Sequence, residues 1–164
     1  MRIPTRGFII LLLAIFLAGC GFQLRNSDAL ARHAPVTITG LDRYKPLHAR
    51  LRNTLIAAGI PFVQDETLAK SVMKIRDLGE SQRVITVDSR GKATEYLFIR
   101  KVVVSLSTPD GRQLVSEHEV GVRRNWIEVG KTGLAARREA AELRLEMLEE
   151  LSMSILRVLD YSLR

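Results

Sequence analysis

Leu114-Val115-Ser116-Glu117-His118-Glu119-Val120-Gly121-Val122-Arg123-Arg124-Asn125-Trp126 decides the fold, because it alternates with a period of two. Leu114, His118, Val120, Val122 and Trp126 fall on one side, while Glu117, Glu119, Arg123 and Asn125 fall on the other. That pattern predicts a strand of an antiparallel sheet with one face buried. Immediately upstream, Pro109-Asp110-Gly111 reads as a tight turn, and the run from about Thr94 to Ser107 as the strand before it. This strand is apolar on both sides: Leu97, Ile99 and Val103 on one, Tyr96, Phe98, Val102, Val104 and Leu106 on the other. A central strand covered on both faces would look like this, and so would a sheet whose second face docks on another protein. Further back, Asp88-Ser89-Arg90-Gly91-Lys92 is a hairpin turn with Gly91 suited to positive φ. Val72 to Leu78 and Arg83 to Val87 then form one long strand broken by a bulge or bend at Gly79. The three strands make an antiparallel meander.

On the far side, a helix runs from Thr132 or Gly133 to about Leu159. Ala141, Leu145, Leu148, Ile155 and Leu159 form its stripe, widened by Leu143, Met147, Leu151 and Val158 until it could cover a sheet. Glu139, Glu142, Glu146, Glu149 and Glu150, with Arg137, Arg138 and Arg144, crowd the other face, which reads as solvated, with Arg138 and Glu142 four residues apart. Ahead of the meander, Pro46 suits the first turn of a helix carrying Leu47, Leu51 and Leu55 at four-residue spacing, closed by Gly59 and Pro61. Its Arg50, Arg52 and Asn53 read as solvated. Pro35 opens a short strand, Val36-Thr37-Ile38-Thr39, closed by Gly40. The predicted fold is α+β: a two-layer sandwich in which two helices pack on one face of a four-stranded, mostly antiparallel sheet, in the order β-α-β-β-β-α. Residues 35–164 form a single domain.

The amino terminus specifies location. Arg2 and Arg6 precede an apolar run from Phe8 to Ala18 that is too short to span a bilayer, and Leu17-Ala18-Gly19-Cys20 is a lipobox. Residues 1–19 are therefore expected to be a lipoprotein signal peptide. Cys20 then carries a thioether-linked diacylglyceryl group and an N-acyl chain, and residues 20–34 form an extended lipidated tether. Gly21, rather than Asp, follows the Cys, which leaves the lipoprotein free to reach the outer membrane. Cys20 is the only cysteine, so no disulfide and no catalytic thiol are available. The formal net charge is +7. An exported, anchored chain does not meet nucleic acid, so its basic surface is read against phosphorylated lipids and acidic protein surfaces.

No catalytic or metal-binding spacing is found. His33, His48 and His118 are scattered, with no His-x-x-x-His pair and no nucleophile elbow. His118 reads as a half-buried structural side chain, and Trp126 as core or interface. The informative feature is charge at one end of the sheet: Arg90 and Lys92 in the first hairpin turn, with Arg123, Arg124 and Lys131 near the end of the last strand. Because the meander reverses at each turn, these fall at the same end, where a phosphate could meet several cations.

The Cys20-Gly21-Phe22-Gln23-Leu24-Arg25 start, Leu51-Arg52-Asn53-x-Leu55 with Ala58-Gly59, Gly91-x-x-x-Glu95-Tyr96, and Leu134-Ala135 opening the last helix together resemble the LPS-assembly lipoprotein family, LptE. The resemblance implies helices on one face of a four-stranded sheet, and an outer-membrane lipoprotein on the periplasmic side, within the lumen of a large β-barrel, LptD. There it would plug the barrel, help it assemble and bind lipopolysaccharide, with no enzymatic activity and no cofactor beyond the lipid on Cys20. The cations this implies for lipopolysaccharide are Arg90 and Lys92 in the turn and Arg137 at the start of the last helix, alongside Arg123, Arg124 and Lys131. The link from Ile127 to Thr132 lacks the Asp/Asn-Pro-like turn usual in the family. The alternative is a free envelope lipoprotein that binds lipid or assists a transporter without a barrel.

Overall fold

A computed structural model describes residues 28–128 and 133–164. The signal peptide, Cys20, the first part of the tether and Lys131 lie outside them.

The meander forms as the period-two pattern requires. Strand β2 (Ser71–Val87) pairs antiparallel with β3 (Ala93–Ser107), and β3 with β4 (Gln113–Ile127). Strand β1 (Val36–Thr39) adds on the outside of β2 in parallel, Val36 opposite Ser71 and Thr39 opposite Lys74. The sheet order is β1-β2-β3-β4, a mixed sheet. Parallel pairing needs a crossover, and helix α2 (Pro46–Ala57) supplies it. Pro46 sits at the helix start and Leu47, Leu51 and Leu55 are buried. The end is closed as the Gly59 signal implies: the Ile60 and Gly59 amides donate to the carbonyls of Leu55 (2.9 Å) and Ile56 (3.0 Å), with Gly59 at φ +72°.

The ambiguity of β3 is resolved. Phe98, Val102, Val104 and Leu106 are fully buried beneath the helices, whereas Leu97, Ile99 and Val103 lie half-buried on a face that no helix among the described residues covers. The bulge expected at Gly79 is present: Asp77 opposes Val102 and Gly79 opposes Lys101, so Leu78 is the extra residue. The Asp77 carboxylate accepts from the Gly79 amide at 2.8 Å.

Four readings need correction. The alternation of β4 slips at its start: Val104 opposes His118 but Leu106 opposes Val115, so an extra residue turns Val115 into the core and leaves Leu114 only half-buried. In the long helix, named α3 below (Gly133–Ser162), the first half buries Ala136, Ala140 and Met147, while Ala141 is exposed and Leu145 points outward, 47% exposed. Its polar side is only partly solvated: Glu149 meets Arg50 of α2 at 2.9 Å, Glu150 meets Arg124 at 2.5 Å, and Arg144 meets Glu80 at 2.7 Å with its guanidinium 4.5 Å from the Phe98 ring centre. Finally, the tether is not extended to Ala34. Asp28–Ala31 form one helical turn, α1, with Leu30 wholly buried, making three α-helices among the described residues rather than the two expected of the domain.

The attachment of α1 rests on one carboxylate. Asp160, near the end of α3, is 7% exposed and accepts from the Ala29 and Leu30 amides at 2.9 and 3.2 Å and from Arg164 at 2.8 Å. A buried carboxylate is stable only when its oxygens are filled in this way.

Candidate functional site

The hairpin turn between β2 and β3 forms because Asp88 can satisfy backbone donors that a five-residue loop would otherwise strand. Its carboxylate accepts from the amides of Arg90 and Lys92, both at 2.9 Å, and its own amide donates to the Lys92 carbonyl at 2.8 Å. Gly91 takes φ +75°, as expected of the residue that reverses the chain. With the backbone tied off by Asp88, the side chains of Arg90 and Lys92 are left exposed at the hairpin tip, and no acidic side chain among the described residues pairs with either.

The other expected cations divide. Neighbours in a strand point to opposite faces, so Arg123 and Arg124 part company. Arg124, opposite Phe98, lies on the helix side and is held by Glu150. Arg123, opposite Ile99, lies on the open face, set back four residues from Ile127, or about 13 Å. Arg137 is exposed in the first turns of α3, which starts shortly after β4 ends beside the hairpin turn. The turn and the helix start thus bring Arg90, Lys92 and Arg137 to one end of the molecule, while Arg124 faces the helix layer.

Two cations absent from the expected set also belong to this half of the sheet. Arg83 and Lys101 share the open face with Arg123, beside the half-buried Leu97 and Ile99. Spacing within one strand cannot reveal them, because they are gathered by register across three strands.

Trp126 is core: it is 9% exposed, stacked on Tyr96 with centroids 5.4 Å apart and tilted against Phe98 at 6.0 Å. His48 is buried against the edge of Phe62 at 6.2 Å. Burial, reinforced by Arg52 and Arg43, holds its pKa below the ordinary histidine value, so it is a neutral packing side chain. Among the described residues no group of three His, Cys, Asp or Glu could hold a metal ion, and no helix is long and apolar enough to cross a membrane.

Comparison with known proteins gives a consistent result. The family model LptE, described as lipopolysaccharide-assembly, matches residues 34–159. An LPS-assembly lipoprotein LptE of Photorhabdus laumondii is 29% identical over 160 residues, covering 97% of this chain and 87% of the relative. One from Yersinia pestis (strain Pestoides F) is also 29% identical, over 162 residues, covering 97% of this chain and 77% of the relative. Among solved structures, rare lipoprotein B of Shewanella oneidensis superposes with a TM-score of 0.66 at 22% identity, covering 77% of this chain and 94% of that one. Lipoprotein B of Nitrosomonas europaea gives 0.62 at 20% identity, covering 74% and 79%. These two structures bear out the α+β fold, with the sheet mixed.

Proposed function

The chain belongs to the LptE lipopolysaccharide-assembly family, and from that membership we propose that it is an outer-membrane lipoprotein that serves a barrel rather than a reaction. In this reading the acyl groups on Cys20 anchor it on the periplasmic side of the outer membrane. The folded domain occupies the lumen of an LptD β-barrel and helps that barrel assemble. Its cations meet lipopolysaccharide on the way to the outer leaflet. No bond is made or broken by the protein.

The observation that carries the reading is the turn at Asp88–Lys92. Asp88 spends its carboxylate on backbone amides, so Arg90 and Lys92 project at the tip of a long hairpin without a carboxylate partner, at the same end of the molecule as Arg137. Lys131, named from the sequence and outside the described residues, is a further candidate. Arg124 lies on the helix side, paired with Glu150, and is not given a part in this reading. Support for enclosure comes from the bare margins of the sheet. β1 covers β2 only as far as Lys74, so the rest of β2 is an open edge bearing exposed Leu78, Val84, Ile85 and Val87, and β4 is the other edge. Such edges invite pairing or aggregation in a free protein and are harmless inside a wall.

The test is the double variant Arg90→Asp, Lys92→Asp. A basic residue at an anionic lipid surface contributes about 1 kcal/mol, so reversing two charges should weaken lipopolysaccharide binding by about tenfold or more. Far-UV circular dichroism should not change, because both side chains are solvent-borne. Unchanged binding would sink the site. Extraction of the lipidated chain in mild detergent without a large β-barrel partner would sink the plug.

A further inference from the structure

We propose that the open face of the sheet carries a second ligand site, for an amphiphile with a phosphate group and at least one acyl chain, built by Arg83, Lys101 and Arg123 around Leu97 and Ile99. The register sets three rows across β2, β3 and β4: Gly79-Lys101-Gly121, Ser81-Ile99-Arg123 and Arg83-Leu97-Asn125. Gly79, Gly121 and Ser81 supply little or no side chain, so gaps open beside Lys101 and Ile99 and together form a trough across the face. The depression measures about 380 Å³ and adjoins a second of about 400 Å³ that shares Ile99, Lys101 and Arg123. Leu78, pushed out at the bulge and 46% exposed, lines one side.

Gly121 is a built feature of this floor. A Cβ there would come within 3.2 Å of Lys101 Cγ and 3.3 Å of the Arg100 carbonyl oxygen, so the Lys101 stem lies across the glycine. The stem ends at Glu119, 2.7 Å away, in an exposed pair that costs little to exchange. Arg83 and Arg123 have no carboxylate partner among the described residues. Glu80, the carboxylate lining the first depression, is engaged by Arg144, and Glu150, which lines the second with Glu119, is engaged by Arg124. Two free guanidiniums thus flank the central strand from either side, their backbones about 12 Å apart at two strand spacings across and two residues along. A planar guanidinium takes a phosphate through two parallel hydrogen bonds, and two of them can close on one group from opposite sides.

The half-buried Leu97 and Ile99 between them remain partly wet, and methylenes laid along the trough would cover them. This apolar floor selects against an acidic protein surface, whose carboxylates would meet the arginines but leave the floor uncovered. The site stands on the trough alone and not on the lipopolysaccharide reading of the hairpin tip.

The experiment titrates the full chain, in neutral detergent, with dihexanoyl phosphatidic acid and separately with inorganic phosphate, following the methyl NMR signals of Leu97 and Ile99. The expected result is saturable movement of both signals with the phosphatidic acid, weakened tenfold or more in Arg83→Gln, Arg123→Gln with circular dichroism unchanged. In Leu97→Ser, Ile99→Ser, where those methyls are gone and binding is read by isothermal titration calorimetry, the acylated probe should bind no better than inorganic phosphate. Equal binding by wild type and the arginine variant, or shifts confined to the Asp88–Lys92 turn, would overturn the site. Equal binding of the two probes by wild type would overturn its acyl part, and displacement of the phosphatidic acid by a short poly-glutamate peptide at equal affinity would assign the face to an acidic protein instead. None of these results touches the Arg90, Lys92 variant, so the two readings fail separately.

Discussion

Asp160 does more for this fold than its position near the carboxyl terminus suggests. Burial by itself would raise its pKa, but donation from Arg164 and from the Leu30 and Ala29 amides outweighs burial and holds it below the ordinary carboxylate value. A group whose folded pKa is depressed binds its proton more readily in the unfolded chain. Its contribution is therefore complete above about pH 4 and is lost as pH falls through the folded value. Asp160→Ala should remove about 2–3 kcal/mol at neutral pH, since it strands two buried amides and frees Arg164. Urea unfolding at pH 7 and at pH 3 checks this: the difference between variant and wild type should shrink at the lower pH. A variant as stable as wild type at pH 7 would mean that α1 contributes nothing through this carboxylate.

Gly40, which closes β1, shows how an element is fixed by what lies beside it. It takes φ +80°, and a Cβ there would overlap the carbonyl oxygen of Ile75 in β2. Gly40→Ala should cost about 3 kcal/mol or more, because both the backbone strain and the overlap must be relieved, and thermal unfolding reads that directly. The end of β1 was legible in the sequence, as were the hairpin turns, Gly79 and the Schellman closure of α2, because each is written in a few adjacent residues. What was not legible depends on distant partners. Ala and Leu populate both sides of α3, so its true face was set by which side met Phe98 and Val102. The slip that exchanges Leu114 for Val115 is a property of a pair of strands. The bond from Asp160 to Ala29 spans 131 residues. The same division holds for the site: Arg90 and Lys92 could be read from a turn, whereas Arg83 and Lys101 join Arg123 only once the register is known.

The whole molecule is unevenly stabilised along its length. At one end, β1, α1, α2 and the carboxyl-terminal half of α3 enclose the start of β2, where Val72, Met73 and Ile75 are buried. At the other, β2 beyond Arg76 has an open edge and lies almost wholly exposed. Amides in the hairpin distal to Gly79 should therefore exchange with solvent by local opening, about a hundredfold faster or more than those of Val102, Val104 and Leu106. Hydrogen exchange with mass spectrometry checks this, and equal protection along β3 would contradict it.

The docking of α1 also sets a distance. Ser71 Oγ donates to the His33 carbonyl at 2.9 Å, so the chain enters the domain beside the first residue of β2. The far end of that same strand carries the turn with Arg90 and Lys92. Seventeen residues of extended chain separate the two, about 50 Å at the usual rise. A bilayer with its headgroups is about 40–45 Å thick. In the proposed setting the domain is a ruler: pinned at one membrane surface, it holds its two tip cations level with the other.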